Sequence, residues 1–381
     1  MVNKRKVQVI LHCETYENWR RDLEKLGQIK YMLPMIDACV LEIDEELLDS
    51  VKSLDGLISY ELDTHITAQM NRVNDTIESR WAHEHGYFGR GVGVAVVDTG
   101  ITLHKDFIEG GNRVIGFADF MSHKTEAYDD NGHGTHVAGI IGGNGFSSKG
   151  KYMGIAPECN FIGVKVLDKR GDGNISDVLA GLQWIIDNRK RYNIRVVNIS
   201  VGTASKDNLD ENSLLVQGVN AVWDSGIVVV VAAGNNGPGP MSISTPGISR
   251  KVITVGSSDD NVAVEVFGTG RSKDYSGRGP TPFCIKKPDI VAPGSNIISC
   301  NISRYPPRSR VGEAPMMYTI KSGTSMATPV VTGAIALLIA AHPQITNREV
   351  KLRLRSCAVN LGQHWEKQGW GLLNVRRLLE Q

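Results

Sequence analysis

No run in this 381-residue chain reaches the roughly 18 consecutive apolar residues of a membrane-spanning helix, so a membrane span is not expected. No two cysteines stand in a Cys-x-x-Cys pair. The six that occur, Cys13, Cys39, Cys159, Cys284, Cys300 and Cys357, are scattered, which implies neither a zinc knuckle nor a disulfide framework. Bulk charge is absent as well. A net charge of +1 argues against recruitment to nucleic acid or to an anionic membrane surface. There is no low-complexity tract and no repeat period. The start, MVNKRKVQVILHC, is basic, but Gln8 and His12 break its apolar stretch and charged residues follow at once, so it fails as a signal peptide. Free thiols without an export signal point to a reducing, cytoplasmic location.

The length suits one large domain and one smaller one. Residues 1–70 read as a unit: a strand over Lys6–Cys13, a helix over Tyr16–Leu26, two apolar segments broken at Pro34 between Gln28 and Ile43, a helix over Glu45–Leu54 and a strand over Leu57–Leu62. This β-α-β-β-α-β order is that of a split βαβ, ferredoxin-like α+β sandwich. The unit carries 8 Lys/Arg against 13 Asp/Glu, and the remainder carries the opposite sign, which favours association of the two parts. Residues 64–80, THITAQMNRVNDTIESR, are polar with weak periodicity; 71–80 are read as a linker, with the larger domain occupying 81–381. In that domain Val92–Val97, Phe161–Leu167, Val196–Val201, Ile227–Ala233, Val252–Val255 and Ile290–Ala292 are short, nearly continuous apolar runs, as in strands buried on both faces of a parallel sheet. Helical patterns over Asp177–Tyr192, Ser213–Asp224 and after Ser325 lie among them. The alternation predicts a three-layer α/β domain with a mostly parallel central sheet, whose function collects at the carboxyl ends of the strands.

The polar motifs fall at those ends. VAVVDTG ends a strand on Asp98. DDNGHGTHVAG places His133 between two glycines where a helix begins. VVVVAAGNNG puts Asn235 just past a buried strand, and SGTSMATP puts Ser325 in the first turn of an apolar helix, where unpaired N–H groups favour developing negative charge. Each has a plainer reading, Asp98 as a turn residue and Thr324 or Ser325 as a helix cap. Taken together they provide an acid to orient, a base to take a proton and a nucleophile, with Asn235 and the Ser325 N–H to bind an oxyanion. His133 and His136 also suggest a metal pair, but the Glu and the spacing of HExxH are missing. Asp129 and Asp130, just before His133, read either as attraction for basic groups near the scissile bond or as a solvated loop.

DTG, HGTHVAG, AAGNNG and SGTSMATP, in this order, resemble the subtilisin-like serine proteases, the subtilases of peptidase family S8. The resemblance runs from about Trp81 to Leu379, includes KPDIVAPG and GWGLLNV, and leans toward the AprX-like bacterial branch. It implies a serine endopeptidase acting on polypeptides through an acyl-enzyme. Residues 1–70 are similar to the I9-type propeptide, which assists folding and inhibits the enzyme intramolecularly; self-cleavage is then expected between about Thr64 and Thr76. It further implies that Ser200, Val201 and Gly202 line the first specificity pocket, with Gly234 beside Asn235 and Ser244 at the pocket's base, leaving room for a large apolar side chain. Gly171, Asp172 and Gly173 would pair with an extended peptide.

No cofactor is required for this chemistry, and structural calcium is an option. Asp106 matches a common calcium ligand of the family, although GGNGFSSKGKYMG presents Lys149 and Lys151 where oxygens would be wanted. Asp289 matches a second cation position. Three other functions compete. GRGVGV at Gly89–Val94 precedes its strand instead of following it and ends in Val, so the dinucleotide fingerprint fails. An α/β-hydrolase would need Gly-x-Ser-x-Gly in the order Ser, Asp, His. A catalytically silent binding or regulatory protein on the same fold would lack the activated serine, which a fluorophosphonate detects.

Overall fold

The computed structural model describes residues 6–13, 20–33, 38–54, 57–62, 69–202, 212–260, 274–304 and 316–380. The chain divides into two compact units, Met1–Thr67 and Ala68–Gln381.

In the small unit, β1 (Lys6–Cys13), α1 (Arg20–Leu26), β2 (Gly27–Leu33), β3 (Ala38–Asp44), α2 (Leu48–Lys52) and β4 (Leu57–Leu62) follow in chain order. The strands form an antiparallel sheet in the order β2-β3-β1-β4. Val9 and Leu11 on β1, Leu41 and Ile43 on β3, Leu23 on α1 and Val51 on α2 close its core. That is the split βαβ arrangement expected from the element order. The helix expected over Glu45–Leu54 begins as a 3₁₀ turn, Glu45–Leu47, before α2. Tyr16–Trp19, Pro34 and the part of the cleavage window before Gln69 lie outside the described residues.

The large unit opens with α3 (Gln69–Thr76) and α4 (Ser79–Glu84). The expected linker over 71–80 is therefore helical. Its apolar residues Val73 and Ile77, with Ala82 just beyond, are buried in the core of the large unit, and Asn74 Nδ2 donates to the Met153 carbonyl at 3.1 Å. Sparse apolar residues at helical spacing suffice when a neighbouring surface takes them in. Then come β5 (Gly93–Asp98), α5 (Lys105–Ile108), β6 (Val114–Asp119), α6 (His133–Gly142), β7 (Asn160–Lys165), α7 (Ile175–Asn188), β8 (Ile194–Ile199), α8 (Leu214–Asp224) and β9 (Val228–Ala232). β10 (Ile253–Ser257), β11 (Ile290–Ala292), the antiparallel pair β12 (Ile297–Arg304) and β13 (Met316–Lys321), α9 (Thr324–Ala341), α10 (Asn347–Cys357), α11 (Trp365–Gln368) and α12 (Val375–Leu379) complete it.

β5 to β11 form one seven-stranded parallel sheet in the order β11-β10-β9-β8-β5-β7-β6. From β5 the chain builds outward to β6 and β7, then crosses back and builds the other way from β8. The reversal between β5 and β8 opens a crevice at their carboxyl ends, the usual ligand position in such sheets. α6 and α9 pack on each other, as do α7 and α8. β6 and the β12–β13 pair were not expected from the sequence; β6 is an edge strand whose burial is irregular, so it carries no continuous apolar run.

α9 is the one described helix long and apolar enough to cross a membrane, and 83% of it is buried inside the unit. Between Thr324 and Ile339 every residue is buried except Ser325. This core helix meets solvent, at its start, through that one side chain.

Candidate active site

Asp98 ends β5 and is fully buried. His133 is the first residue of α6, and its Nδ1–H donates to Asp98 Oδ1 at 2.7 Å, with Oδ2 at 2.9 Å. Asp98 Oδ1 also accepts the Thr99 N–H at 2.8 Å. Since Nδ1 carries the proton, Nε2 of the neutral ring is left as an acceptor. Burial would lower the His133 pKa, but the charge and hydrogen bond of Asp98 outweigh it and the net shift is upward. Only a glycine fits beside this pair: a Cβ on Gly134 would stand 2.1 Å from the Gly100 carbonyl oxygen.

Asn235 follows β9. Its Oδ1 accepts the Thr324 N–H and the Thr324 Oγ1–H, both at 3.0 Å. A backbone N–H can only donate, so this contact orients the amide and turns Nδ2 away as the remaining donor. In the first turn of α9 the Thr324 N–H is held by Asn235, and the Met326 N–H by the Gly323 carbonyl at 2.9 Å. The Ser325 N–H has no partner among the described residues. Gly323 adopts φ +149, and a Cβ there would lie 3.2 Å from Asn235 Nδ2. The Ser325 Oγ–H donates to the Ser200 carbonyl at 2.9 Å, not to the imidazole.

His133, Asn235 and Ser325 line one cleft of about 590 Å³. Its walls include all the residues expected to meet a substrate: Gly171, Asp172 and Gly173, then Ser200, Val201 and Gly202 after β8, and Gly234 with Ser244. Asn236 Nδ2 donates to Ser244 Oγ at 3.1 Å, which fixes the Ser244 hydroxyl at the cleft wall.

Four residues around the site escaped the sequence reading. Asp129 is neither a solvated loop nor a lure for basic groups. It is buried, its Oδ1 accepting from Thr99 Oγ1, Asn131 N and Gly132 N and its Oδ2 from Thr135 N and Thr135 Oγ1. It satisfies the start of α6 from four residues before His133, while Gly132 occupies the usual capping position and conceals the cap. Lys165, a charge inside an apolar strand, was the visible signal. Its buried Nζ donates to Thr99 O, Leu167 O and Asp130 Oδ1, each at 2.7 Å. Asn131 accepts the His133 N–H at 3.1 Å and donates to the Lys169 carbonyl at 3.2 Å, linking the histidine to the cleft edge. Asn198 supports Ser200 from within the core.

His133 and His136 form no metal pair. His136 Nε2–H donates to the carbonyls of Ile297 and Thr319 at 3.1 Å each, and burial, followed by Lys321 and His133, pushes its pKa down to about 3. The surroundings of both expected calcium ligands are the reverse of a calcium site, which consists of oxygen acceptors. Asp106 Oδ1 accepts Ser147 N at 2.9 Å, and its Oδ2 accepts Tyr318 Oη–H at 2.7 Å with the Cys300 thiol at 3.7 Å. Asp289 Oδ2 accepts Thr254 N at 2.8 Å and Lys287 Nζ at 2.6 Å, and Lys351 Nζ stands 3.6 Å from its Oδ1. Asp106 is met by neutral donors, and Asp289 by a backbone N–H and two lysines.

A parallel sheet with a buried carboxylate, an imidazole and a helix-borne serine at its switch point defines a serine hydrolase of the subtilisin type. Residues 89–371 match the Subtilase family, and the chain belongs to that family. Among its relatives, serine protease AprX of Bacillus subtilis (strain 168) is 41% identical over 354 residues, covering 87% of this chain and 76% of that protein. A thermostable alkaline protease of Halalkalibacterium halodurans is 35% identical over 301 residues, 79% of this chain and 71% of its own length. The crystal structure of a cold-adapted subtilisin-like serine proteinase superposes with a TM-score of 0.57 at 29% identity, covering 83% of this chain and 93% of that one. The protein is a serine-type endopeptidase.

Proposed function

We propose that Ser325 is the nucleophile, His133 the general base, Asp98 the group that orients it, and Asn235 Nδ2 with the Ser325 N–H the oxyanion hole. The observation that carries this reading is the 2.7 Å Asp98–His133 bond at the rim of the cleft that Ser325 also lines. Rotation about the Ser325 Cα–Cβ bond takes Oγ off the Ser200 carbonyl and offers its proton to His133 Nε2. Oγ then attacks the scissile carbonyl. The tetrahedral oxyanion is met by two donors without another partner among the described residues, His133 returns the proton to the leaving amine, and water hydrolyses the acyl-enzyme. The substrate is an extended polypeptide laid along Gly171–Gly173 and Ser200–Gly202, with a large apolar side chain directed toward Ser244. No cofactor takes part in these steps.

Residues 1–67 act as an intramolecular propeptide and inhibitor, a reading supported by the split βαβ sandwich of that unit and by its acidic composition. The cut falls before Gln69 within the expected window, because α3 packs its Val73 into the large unit's core. A cytoplasmic setting accords with the free thiols of Cys39, Cys159, Cys284, Cys300 and Cys357. Expression of the whole chain followed by mass determination tests the scheme. The wild type is expected to be cut between Thr64 and Gln69, losing the residues before the cut, and to take up one fluorophosphonate on Ser325. Ser325→Ala is expected to stay at full length and unlabelled. A Ser325→Ala chain that still shortens by itself would refute self-processing, and a wild type that never labels would refute the nucleophile.

A further inference from the structure

α9 contains a proline in its interior, Pro329, the sixth residue of the helix. In a regular helix the N–H of residue 329 would donate to the carbonyl of residue 325. Proline has no N–H, and its ring presses on that same carbonyl. The carbonyl left without its helical partner is thus that of Ser325. A buried orphan acceptor is costly, and its place is filled from another strand end: the Ser200 Oγ–H donates to the Ser325 carbonyl at 3.1 Å. Ser200 is itself held, its Oγ accepting from Asn198 Nδ2 at 2.8 Å, while Asn198 Oδ1 accepts from Thr332 Oγ1 two turns along α9 at 2.8 Å. The Ser200 hydroxyl has one proton, and with Asn198 donating into it that proton is directed at Ser325.

We infer that the Ser200 side chain is a positioning residue that replaces the helical hydrogen bond removed by Pro329, and thereby fixes the backbone angles of Ser325. The proline keeps the Ser325 carbonyl free, and the hydroxyl anchors it to the wall that receives the substrate. The direction of the Ser325 Cα–Cβ bond and of its N–H toward the oxyanion depends on this anchor. The inference rests on the assignment of Ser325 as nucleophile.

A double-mutant cycle tests it: wild type, Ser200→Ala, Pro329→Ala and the double variant, each assayed for kcat and KM on a peptide anilide and titrated with a fluorophosphonate. In the parent, Ser200→Ala is expected to lower kcat about tenfold, with KM changed by less than about threefold, since transition-state geometry is what it disturbs. In the Pro329→Ala background, residue 329 regains an N–H for the Ser325 carbonyl, and the same change is expected to cost less than about twofold. Any cost of stranding Asn198 Nδ2 is common to both backgrounds and cancels in the ratio. Ser200→Thr, which keeps a hydroxyl, is expected to retain kcat within about threefold and supplies a second reading should Pro329→Ala fold poorly. Equal losses from Ser200→Ala in the two backgrounds, or a loss in KM alone, would overturn the inference. If no variant took up the phosphonate, the nucleophile assignment itself would fall, an outcome distinct from labelling with additive losses.

Discussion

The Oγ–H of Thr99, the residue after Asp98, donates to Asp129 Oδ1 at 2.9 Å, and the same hydroxyl oxygen accepts the Gly134 N–H at 3.0 Å. One threonine side chain thus joins the strand end that carries the acid to the helix start that carries the imidazole. Asp129 occupies the centre of this joint because its two oxygens take five donors from both segments and from Thr135.

Replacing Asp129 by asparagine turns one acceptor oxygen into an amide donor facing N–H groups. Asp129→Asn is expected to destabilise the large unit by about 2–3 kcal/mol, the scale of hydrogen bonds to a charged acceptor left unmade. It should also lower kcat with little change in KM. Thermal melts in the Ser325→Ala background, which prevents self-digestion, read the first effect, and peptide-anilide kinetics read the second. Unchanged kcat would mean that the joint does not set the Asp98–His133 geometry.

The pH profile follows from the direction of the His133 shift. A base must be unprotonated to act, so activity falls as pH drops through the His133 pKa. Burial lowers that pKa, and Asp98, by its charge and hydrogen bond, raises it by more. The acid limb of kcat/KM is therefore expected with its midpoint above the ordinary histidine value of about 6.5. In Asp98→Asn the main raising charge is gone, and burial with Lys321 lowers the pKa against Asp129 only. The limb should move to lower pH while kcat falls by about 10⁴ as the ring loses its tautomer. A limb that stayed in place in Asp98→Asn would show that another group titrates.

Asp106 anchors a loop through Ser147 and ties α5 to β13 through Tyr318. Burial first, then Asp106, holds the Tyr318 phenol protonated at any physiological pH. Asp106→Ala strands those donors and is expected to cost roughly 3 kcal/mol. The loss should be the same in calcium and in chelator, because no ion is assigned to this carboxylate. Melts of both proteins in the two buffers measure it. A mutant whose deficit appeared only with calcium present would restore Asp106 as a ligand.

Much of the site could be read before any coordinates, and for a specific reason. Asp98, His133, Asn235 and Ser325 sit in the four motifs that resemble the subtilases. Taken singly, Asp98 reads equally as a turn residue and Ser325 as a helix cap. The structure sets His133, Asn235 and Ser325 on one cleft with Asp98 bonded behind His133. Asp129 could not be read this way. It caps its helix from outside the usual position, and two adjacent acids in a glycine-rich stretch look like a surface loop. The segment 71–80 looked like a linker because its few apolar residues are too sparse to hold a helix alone; the surface that receives them is made by distant parts of the chain. Ser200 resembled any residue at a strand end until Pro329 showed which carbonyl lacked a partner.

By itself the order of residues determined most strands of the parallel sheet and the alternation of layers, and its motifs pointed to the family and to the candidate site residues. Strands and layers depend on local hydrophobic periodicity, which is written in consecutive residues, and the family was legible from the four short motifs that resemble the subtilases. Only the tertiary structure decided which donors surround each carboxylate: the His133 imidazole at Asp98, the start of α6 at Asp129, and N–H, hydroxyl and lysine donors at Asp106 and Asp289. Donors such as His133, Ser147 and Thr254 reach their carboxylates from 35 to 41 positions away, and Tyr318 reaches Asp106 from 212 away, by ångström-scale placement that no short stretch of chain encodes.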